Sequence, residues 1–391
     1  MAAGRCTIRL LTIAGAASLA LYFAILAAKF ILARRYAAAH PETAQRDAPV
    51  TIVQPILGGD PFLGEALRRN VENAPRSARF LWLVDEDDAI GRETTRQLAN
   101  DARVAILLCP PVRGAENPKS AKLQRALDAV ETEFIAVLDD DTILAPEHLP
   151  RALAALDTCT LYTGLPCYLR GPNVWSSLVA HFVNNNSITT YLPLLPLIGP
   201  LTINGMFYVL RTDDLRRAGG FHAIASKLCD DYALAALIRE NGGVIRQGIT
   251  SQTLHTTVPS ASDYFRIMQR WFLFANVLVR DQPLRVNLLL FVFLGIPPLL
   301  LWLAFAAIAG GWIFVAVIAA ILIARHALLR ALHRSVFGKL PEFDWWMSII
   351  AELLQPMHWL HATLRSTMRW RTRRIRVARD GTFVYLAGGG S

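Results

Sequence analysis

The apolar positions of this chain fall into two kinds of pattern. The first is the long unbroken run. LLTIAGAASLALYFAILAAKFIL, from Leu10 to Leu32, carries a single charge, Lys29, near its end. A helix needs about 20 consecutive, predominantly apolar residues to cross a bilayer. A cleaved leader is the competing reading, but the run is long for one and no A-x-A-like site follows it, so a retained anchor over residues 1–35 is expected. Two further runs, Asn287 to Ala309 and Trp312 to Ala324, are separated by Gly310-Gly311. They predict a hairpin of two spans over 287–335, in which Pro297-Pro298 is tolerable because neighbouring helices re-satisfy the backbone.

The second pattern occupies the middle of the chain, residues 36–286. Short apolar runs alternate there with helical periodicity, which is the α/β signature. Strands are predicted at Val50–Gln54, Phe80–Val84, Val104–Leu108 and Phe134–Leu138, with helices at Phe62–Asn73, Gly91–Asn100 and Lys119–Glu131 between them. The strands are almost uniformly apolar, as parallel strands covered on both faces should be. After residue 150 the pattern loosens. Val174–Pro200, broken by Asn184-Asn185-Asn186 and three prolines, is expected on the membrane surface or along an acceptor groove. Ser226–Asn241 reads as a helix stopped by Gly242-Gly243, and Asp263–Arg280 as an amphipathic helix. Residues 336–391 read as an interfacial or re-entrant segment, Phe343–Leu364, followed by a basic tail.

Charge orients these parts. The chain is 53% hydrophobic and 18% charged, with a net charge of +9. Arg280 and Arg285 precede the second span, Arg325, Arg330 and Arg334 follow the third, and the turn between the spans is uncharged. Around the first span Arg5 and Arg9 stand before, and Lys29, Arg34 and Arg35 at or after its end. The positive-inside rule then places the polar middle and the C-terminus on the cytoplasmic face, of the inner membrane if the source is bacterial. Arg365–Arg379 holds seven arginines and no acid. Beside membrane spans, attraction to anionic headgroups explains it better than nucleic acid, at about 1 kcal/mol per basic residue. The five cysteines lack metal-ligand spacing, and an odd count on a cytoplasmic face argues for buried thiols over a disulfide framework.

In open α/β sheets ligands bind outside the carboxyl ends of the strands. Two acidic clusters lie at such ends: Asp85-Glu86-Asp87-Asp88 and Asp139-Asp140-Asp141. Alternate side chains share a face, so Asp139 and Asp141 suit a hard divalent cation, Mg²⁺ or Mn²⁺, with open positions for phosphate oxygens, while Asp140 is expected to point away and to tolerate Ser. The bland reading is an acidic turn or helix cap. A haloacid-dehalogenase-type phosphatase also fits FIAVLDDDTIL taken alone. A third acidic pair, Asp230-Asp231, opens a helix, where anions are favoured, and RIMQRW follows at Arg266–Trp271.

In their order and spacing these features resemble the family-two glycosyltransferases, and within them the ceramide glucosyltransferase group, over nearly the whole chain. VDEDDA (Asp85, Asp87, Asp88), NPKSAKL (Asn117, Pro118, Lys119), the D-x-D of Asp139 and Asp141, Asp230-Asp231-Tyr232, and Arg270-Trp271 match that group's motifs in turn. Ile267 departs from the Gln or Arg usual in the last motif; Arg266 or Gln269 is the candidate substitute. A bacterial hopanoid-associated group also looks similar.

The resemblance implies a GT-A catalytic domain over 36–286 and an inverting transfer from a UDP-sugar to a lipid hydroxyl, with ceramide the default acceptor. It places Asp85, Asp87, Asp88 and Lys119 near the nucleotide and Asp139 and Asp141 on the metal–diphosphate. It makes Asp231 the general base, with Asp230 beside it, Arg270 a cation for the leaving diphosphate, and Trp271 a stacking surface. His255 is an additional candidate metal ligand, against the ordinary reading of a structural histidine. A processive polysaccharide synthase would share the D-x-D and Arg-Trp motifs but generally carries more spans. A membrane scaffold gives no reason for three acidic clusters.

Overall fold

The computed structural model describes residues 2–112, 114–306, 308, 311–338, 344–370 and 373–386; the side chains of 2–12, 306, 370 and 373 are likewise not described. Ala309, Gly310, Phe343 and Arg371, and the side chains of Arg5, Cys6, Arg9 and Arg373, therefore lie outside the described residues. The chain divides into two compact units. One gathers Met1–Ala39, Pro172–Gly199 and Val258–Leu364, and the other His40–Gly171, Pro200–Thr257 and Arg365–Ser391. The second unit is thus assembled from three stretches, and the segments 172–199 and 258–286 fold with the apolar helices.

The second unit is built on an eight-stranded mixed sheet. Its strands are β1 (Val50–Ile56), β2 (Ala78–Asp85), β3 (Val104–Cys109), β4 (Phe134–Leu138), β5 (Thr142–Ile143), β6 (Leu161–Leu169), β7 (Phe207–Arg211) and β8 (Ile245–His255). They are ordered β3-β2-β1-β4-β7-β6-β8-β5. β1 is parallel to β2 and β4, and β2 to β3, whereas β7 runs antiparallel to β4.

Strand alternation divides the core between the two faces. Phe134, Ala136 and Leu138 of β4 pack with Ile52, Trp82, Leu63 and Leu67 on one side. Ile135 and Val137 pack with Val53, Leu83, Leu123 and Leu127 on the other. Burial on both faces is the reason these strands read as continuous apolar runs.

The four expected strands are present, with helices Leu63–Asn73, Ala89–Leu98 and Pro118–Ala129 between them. Strands β6, β7 and β8 were not legible. β6 contains Gly164 and Pro166, and its register against β8 slips between Thr163 and Leu165. β8 is half-buried and rich in polar residues, so neither an apolar run nor a clean alternation marks it. The basic tail is folded. It forms a three-stranded antiparallel sheet of Thr367–Trp370, Arg373–Val377 and Phe383–Tyr385.

In the other unit, three helices among the described residues are long and apolar enough to cross a membrane: Ile13–Ala39, Leu284–Phe305 and Trp312–Phe337. The middle one contains a π-helical stretch, Phe291–Gly295. Pro297 and Pro298 follow it; in a regular α-helix their rings would crowd the carbonyls four residues back, a clash that a widened turn relieves. Val174–Asn186 is a helix capped by Asn173, which accepts from the amides of Trp175 and Ser176 at 3.0 and 2.9 Å. It continues through a π-helical stretch at Ser187–Tyr191 into Leu192–Ile198. The segment expected to be interfacial or re-entrant contains helices Trp345–Leu353 and Gln355–Leu364.

Arg325 is buried. Counted from the sequence as a charge flanking the third span, it lies inside the helix Trp312–Phe337 and is only 3% exposed.

Candidate active site

β1 lies between β2 and β4, so the chain leaves β1 and β4 towards opposite sides and a crevice opens at their carboxyl ends. The residues after β1 form the floor of that crevice. The Leu57 amide donates to Asp140 Oδ2 at 2.6 Å, and the Gly58 amide to Asp88 Oδ2 at 2.7 Å. Asp88 Oδ1 in turn accepts from the Gly91 amide at 2.9 Å and caps the helix Ala89–Leu98. A Cβ on Gly58 would stand 2.5 Å from the Gly91 nitrogen and 2.7 Å from Asp88 Oδ1. Only glycine fits there. Asp85, at the end of β2, accepts from the Lys122 ammonium at 3.0 Å, and Lys122 also donates to the Ile56 carbonyl at 3.1 Å. Asp87 is exposed on the turn.

Lys119 connects the two remaining acidic groups. Its ammonium donates to Asp139 Oδ1 at 2.6 Å and to the Gly205 carbonyl at 3.2 Å, and lies 3.8 Å from Asp230 Oδ2. Burial opposes the charge on Lys119, but the carboxylates of Asp139, Asp230 and Asp231 outweigh it and raise the pKa well above that of a free lysine. Asn117 fixes this geometry. Its side-chain oxygen accepts from the Lys119 amide at 2.9 Å, and its nitrogen donates to the carbonyls of Lys227 and Leu228 at 3.2 Å each. The segment before Asp230 is held on another side by the C-terminal sheet, where the Leu228 amide donates to the Gly381 carbonyl at 2.9 Å.

Asp230 and Asp231 open the helix Asp230–Glu240. One oxygen of Asp231 is buried and has no hydrogen-bond partner. Burial, and then the charge of Asp230, push its carboxyl up to about 8, against the pull of Lys119. Gly205 makes the space: a Cβ there would fall 1.9 Å from Asp231 Oδ1. The turn carrying Gly205 is stapled by Thr163, whose hydroxyl donates to the carbonyls of Asn204 and Phe207 at 3.1 and 3.0 Å.

Of the aspartate triplet, Asp139 faces Lys119. Asp141 accepts from the Thr142 hydroxyl at 3.1 Å, and burial together with the charges of Asp140 and Asp139 raises its carboxyl well above the usual range. Asp140 is raised to about 7, mainly by burial, against the Leu57 amide. Its carboxylate is committed to that amide, so it is a tie between loops and more than a spacer. Thr142 pairs with Leu254; carried one residue back, the same register sets Asp141 opposite His255, whose ring stacks on Phe62 at 4.4 Å.

Among the described residues no three His, Cys, Asp or Glu side chains already converge as a complete ligand set. The donor set nonetheless fits a hard cation, because Asp139 and Asp141 are crowded carboxylates on one short turn and phosphate oxygens can fill the open positions.

Arg270 and Trp271 belong to the other unit, on the helix Ala261–Asp281, where Trp271 stacks on Phe182 at 5.9 Å. Arg266 is ion-paired to Asp263 in the same helix. Sequence reasoning passed over Lys122, Gly58 and Gly205. Lys122 was detectable, because it stands one helical turn after Lys119. The two glycines carried no signal.

The model of glycosyl transferase family 21 matches residues 10–383. The chain belongs to glycosyltransferase family 21. The match agrees with the expected resemblance to the ceramide glucosyltransferase group. This family 21 enzyme is also similar in fold to a mannosyltransferase from Pyrobaculum calidifontis solved with GDP-Man and Mn²⁺, with a TM-score of 0.53 at 18% identity, covering 90% of this chain and 99% of that one. A weaker likeness is to S. aureus TarS with UDP-GlcNAc, with a TM-score of 0.40 at 12% identity over 87% and 99% of the two chains. Another is to glucosyl-3-phosphoglycerate synthase from Mycobacterium tuberculosis with Mn²⁺ and UDP, with a TM-score of 0.36 at 16% identity over 57% and 78%. The sheet of the family 21 enzyme is that of a GT-A glycosyltransferase, and its activity is sugar transfer.

Proposed function

We propose that the protein is a membrane-bound inverting glycosyltransferase that moves a hexose, glucose first among the candidates, from a UDP-sugar to the hydroxyl of a lipid, ceramide before a hopanoid or diacylglycerol. One observation carries this reading. Lys119 gathers Asp139 and Asp230 around one point, beside a buried Asp231 oxygen that no protein group satisfies.

In the reaction, the acceptor oxygen attacks the anomeric carbon as the bond to the diphosphate breaks, and the hydroxyl proton passes to Asp231. The raised affinity of Asp231 for a proton suits a base working near neutral pH. Lys119 neutralises charge accumulating on the diphosphate. Asp139 and Asp141, with His255 as a further candidate, would hold Mn²⁺ or Mg²⁺, which supplies charge neutralisation for the leaving UDP. Asp85 and Asp88 shape the uridine pocket, with exposed Asp87 at its rim. The parts assigned to Arg270, as a cation for the leaving group, and to Trp271, as a stacking ring, rest on the sequence motif.

The charge asymmetry of the loops supports a cytoplasmic catalytic unit, and the exposed arginines of the tail sheet support contact with anionic lipid. The test is UDP release by the purified full chain with UDP-glucose and ceramide, diacylglycerol or a hopanoid alcohol offered separately. A glycosylated lipid product that is lost with EDTA or with Asp139→Ala is expected. Turnover untouched by both would sink the metal assignment.

A further inference from the structure

The apolar unit contains a cavity whose chemistry the transfer reaction does not use. Its lining includes Lys29, Arg325, Glu352 and Asn185 together with Leu26, Leu294 and Leu329.

Two of the three charges are matched. The Arg325 guanidinium donates to Glu352 Oε2 at 2.6 and 2.9 Å, to the Tyr22 hydroxyl at 2.9 Å and to Ser348 Oγ at 2.9 Å. Lys29 shares its countercharge, Glu352, with Arg325 and has no partner of its own. It lies on the first apolar helix at 8% exposure, and among the described residues its ammonium makes no hydrogen bond or ion pair. A second polar atom is orphaned beside it, since Asn185 donates to Ser348 at 2.8 Å while its buried Oδ1 has no partner.

Two cations and one anion leave the cavity with an excess positive charge inside helices suited to a membrane. An unpaired charge there is costly, and such residues mark ligand sites by default. A lone anion could neutralise Lys29, but it would leave the apolar walls bare. A phosphate joined to acyl chains satisfies both.

We propose that this cavity binds the phosphate headgroup of an anionic membrane lipid, with Lys29 as its anchoring cation, the Asn185 carbonyl accepting from a headgroup hydroxyl, and Leu26, Leu294 and Leu329 contacting the proximal acyl chain. The Arg325–Glu352 pair positions the polar end. The proposal does not depend on which lipid accepts sugar.

The experiment is native mass spectrometry of the delipidated full chain in mild detergent, titrated with phosphatidylglycerol, with diacylglycerol of the same acyl chains, and with inorganic phosphate. A one-to-one phosphatidylglycerol adduct at least tenfold tighter than either control is expected. Lys29→Met should weaken that adduct tenfold or more, and Lys29→Arg should retain it. Equal binding of phosphatidylglycerol and diacylglycerol by the unaltered protein would overturn the proposal without reference to any variant. Wild-type affinity in Lys29→Met would overturn the role of Lys29, and phosphate binding as tightly as the lipid would overturn a lipid occupant.

Discussion

Asp231 and Gly205 form one device. The glycine leaves room for the carboxylate, and the crowding of that carboxylate gives it a proton affinity useful to a base. Asp231→Asn is expected to lower kcat by about 10²–10⁴-fold, the usual worth of a general base, as read by UDP release. The same substitution should stabilise the fold. The folded carboxyl titrates near 8 and the unfolded one near 3.8, so the folded state holds the extra proton between those values. Stability is therefore lost as pH rises through that window. The thermal midpoint of Asp231→Asn at pH 8 should exceed that of the unaltered protein, with the difference vanishing at pH 4. An equal or lower midpoint at pH 8 would show that Asp231 is not under this strain. Gly205→Ala drives a methyl group to 1.9 Å from Asp231 Oδ1. It should cost activity on the scale of losing the base while the sheet stays folded by circular dichroism.

At the scale of elements, the site is three loop ends tied together. Asp140 binds the Leu57 amide, Asp88 binds the amides of Gly58 and Gly91, and Asn117 binds the segment ahead of Asp230. Asp140→Asn keeps an acceptor of the same reach and should leave the KM for UDP-glucose within about twofold. Asp140→Ser is too short to meet Leu57 and should raise that KM about three- to tenfold, on the order of one lost hydrogen bond. Identical kinetics for the two variants would return Asp140 to the status of a spacer.

These ties also mark how far the sequence could be read. The parallel strands were legible because burial on both faces leaves an unbroken apolar signature, and Asp139, Asp141 and Asp230-Asp231 because acidic clusters at element ends are conspicuous. The pairing of Lys122 with Asp85 was not, since it joins a helix to a strand across 37 residues. Nor was the C-terminal sheet, whose short strands are masked in the sequence by a run of arginines. Its Gly381 carbonyl holds Leu228, two residues before the acidic pair.

At the scale of the whole molecule, the chain combines an α/β unit with helices suited to a membrane, and the apolar unit is itself organised around charge. Arg325, Glu352, Tyr22 and Ser348 come from three separate helices and meet at hydrogen-bonding distance. Removing one member of a buried pair strands the other, at about 3–5 kcal/mol, whereas replacing both by apolar residues is often neutral. Arg325→Met and Glu352→Leu should therefore each lower the unfolding midpoint in detergent by several degrees, and the double variant should recover much of the loss. Strict additivity of the two losses would mean that the side chains do not act as a pair. Recovery of stability in the double variant without recovery of sugar transfer would show that the charges are retained for the work of the enzyme and not for its fold.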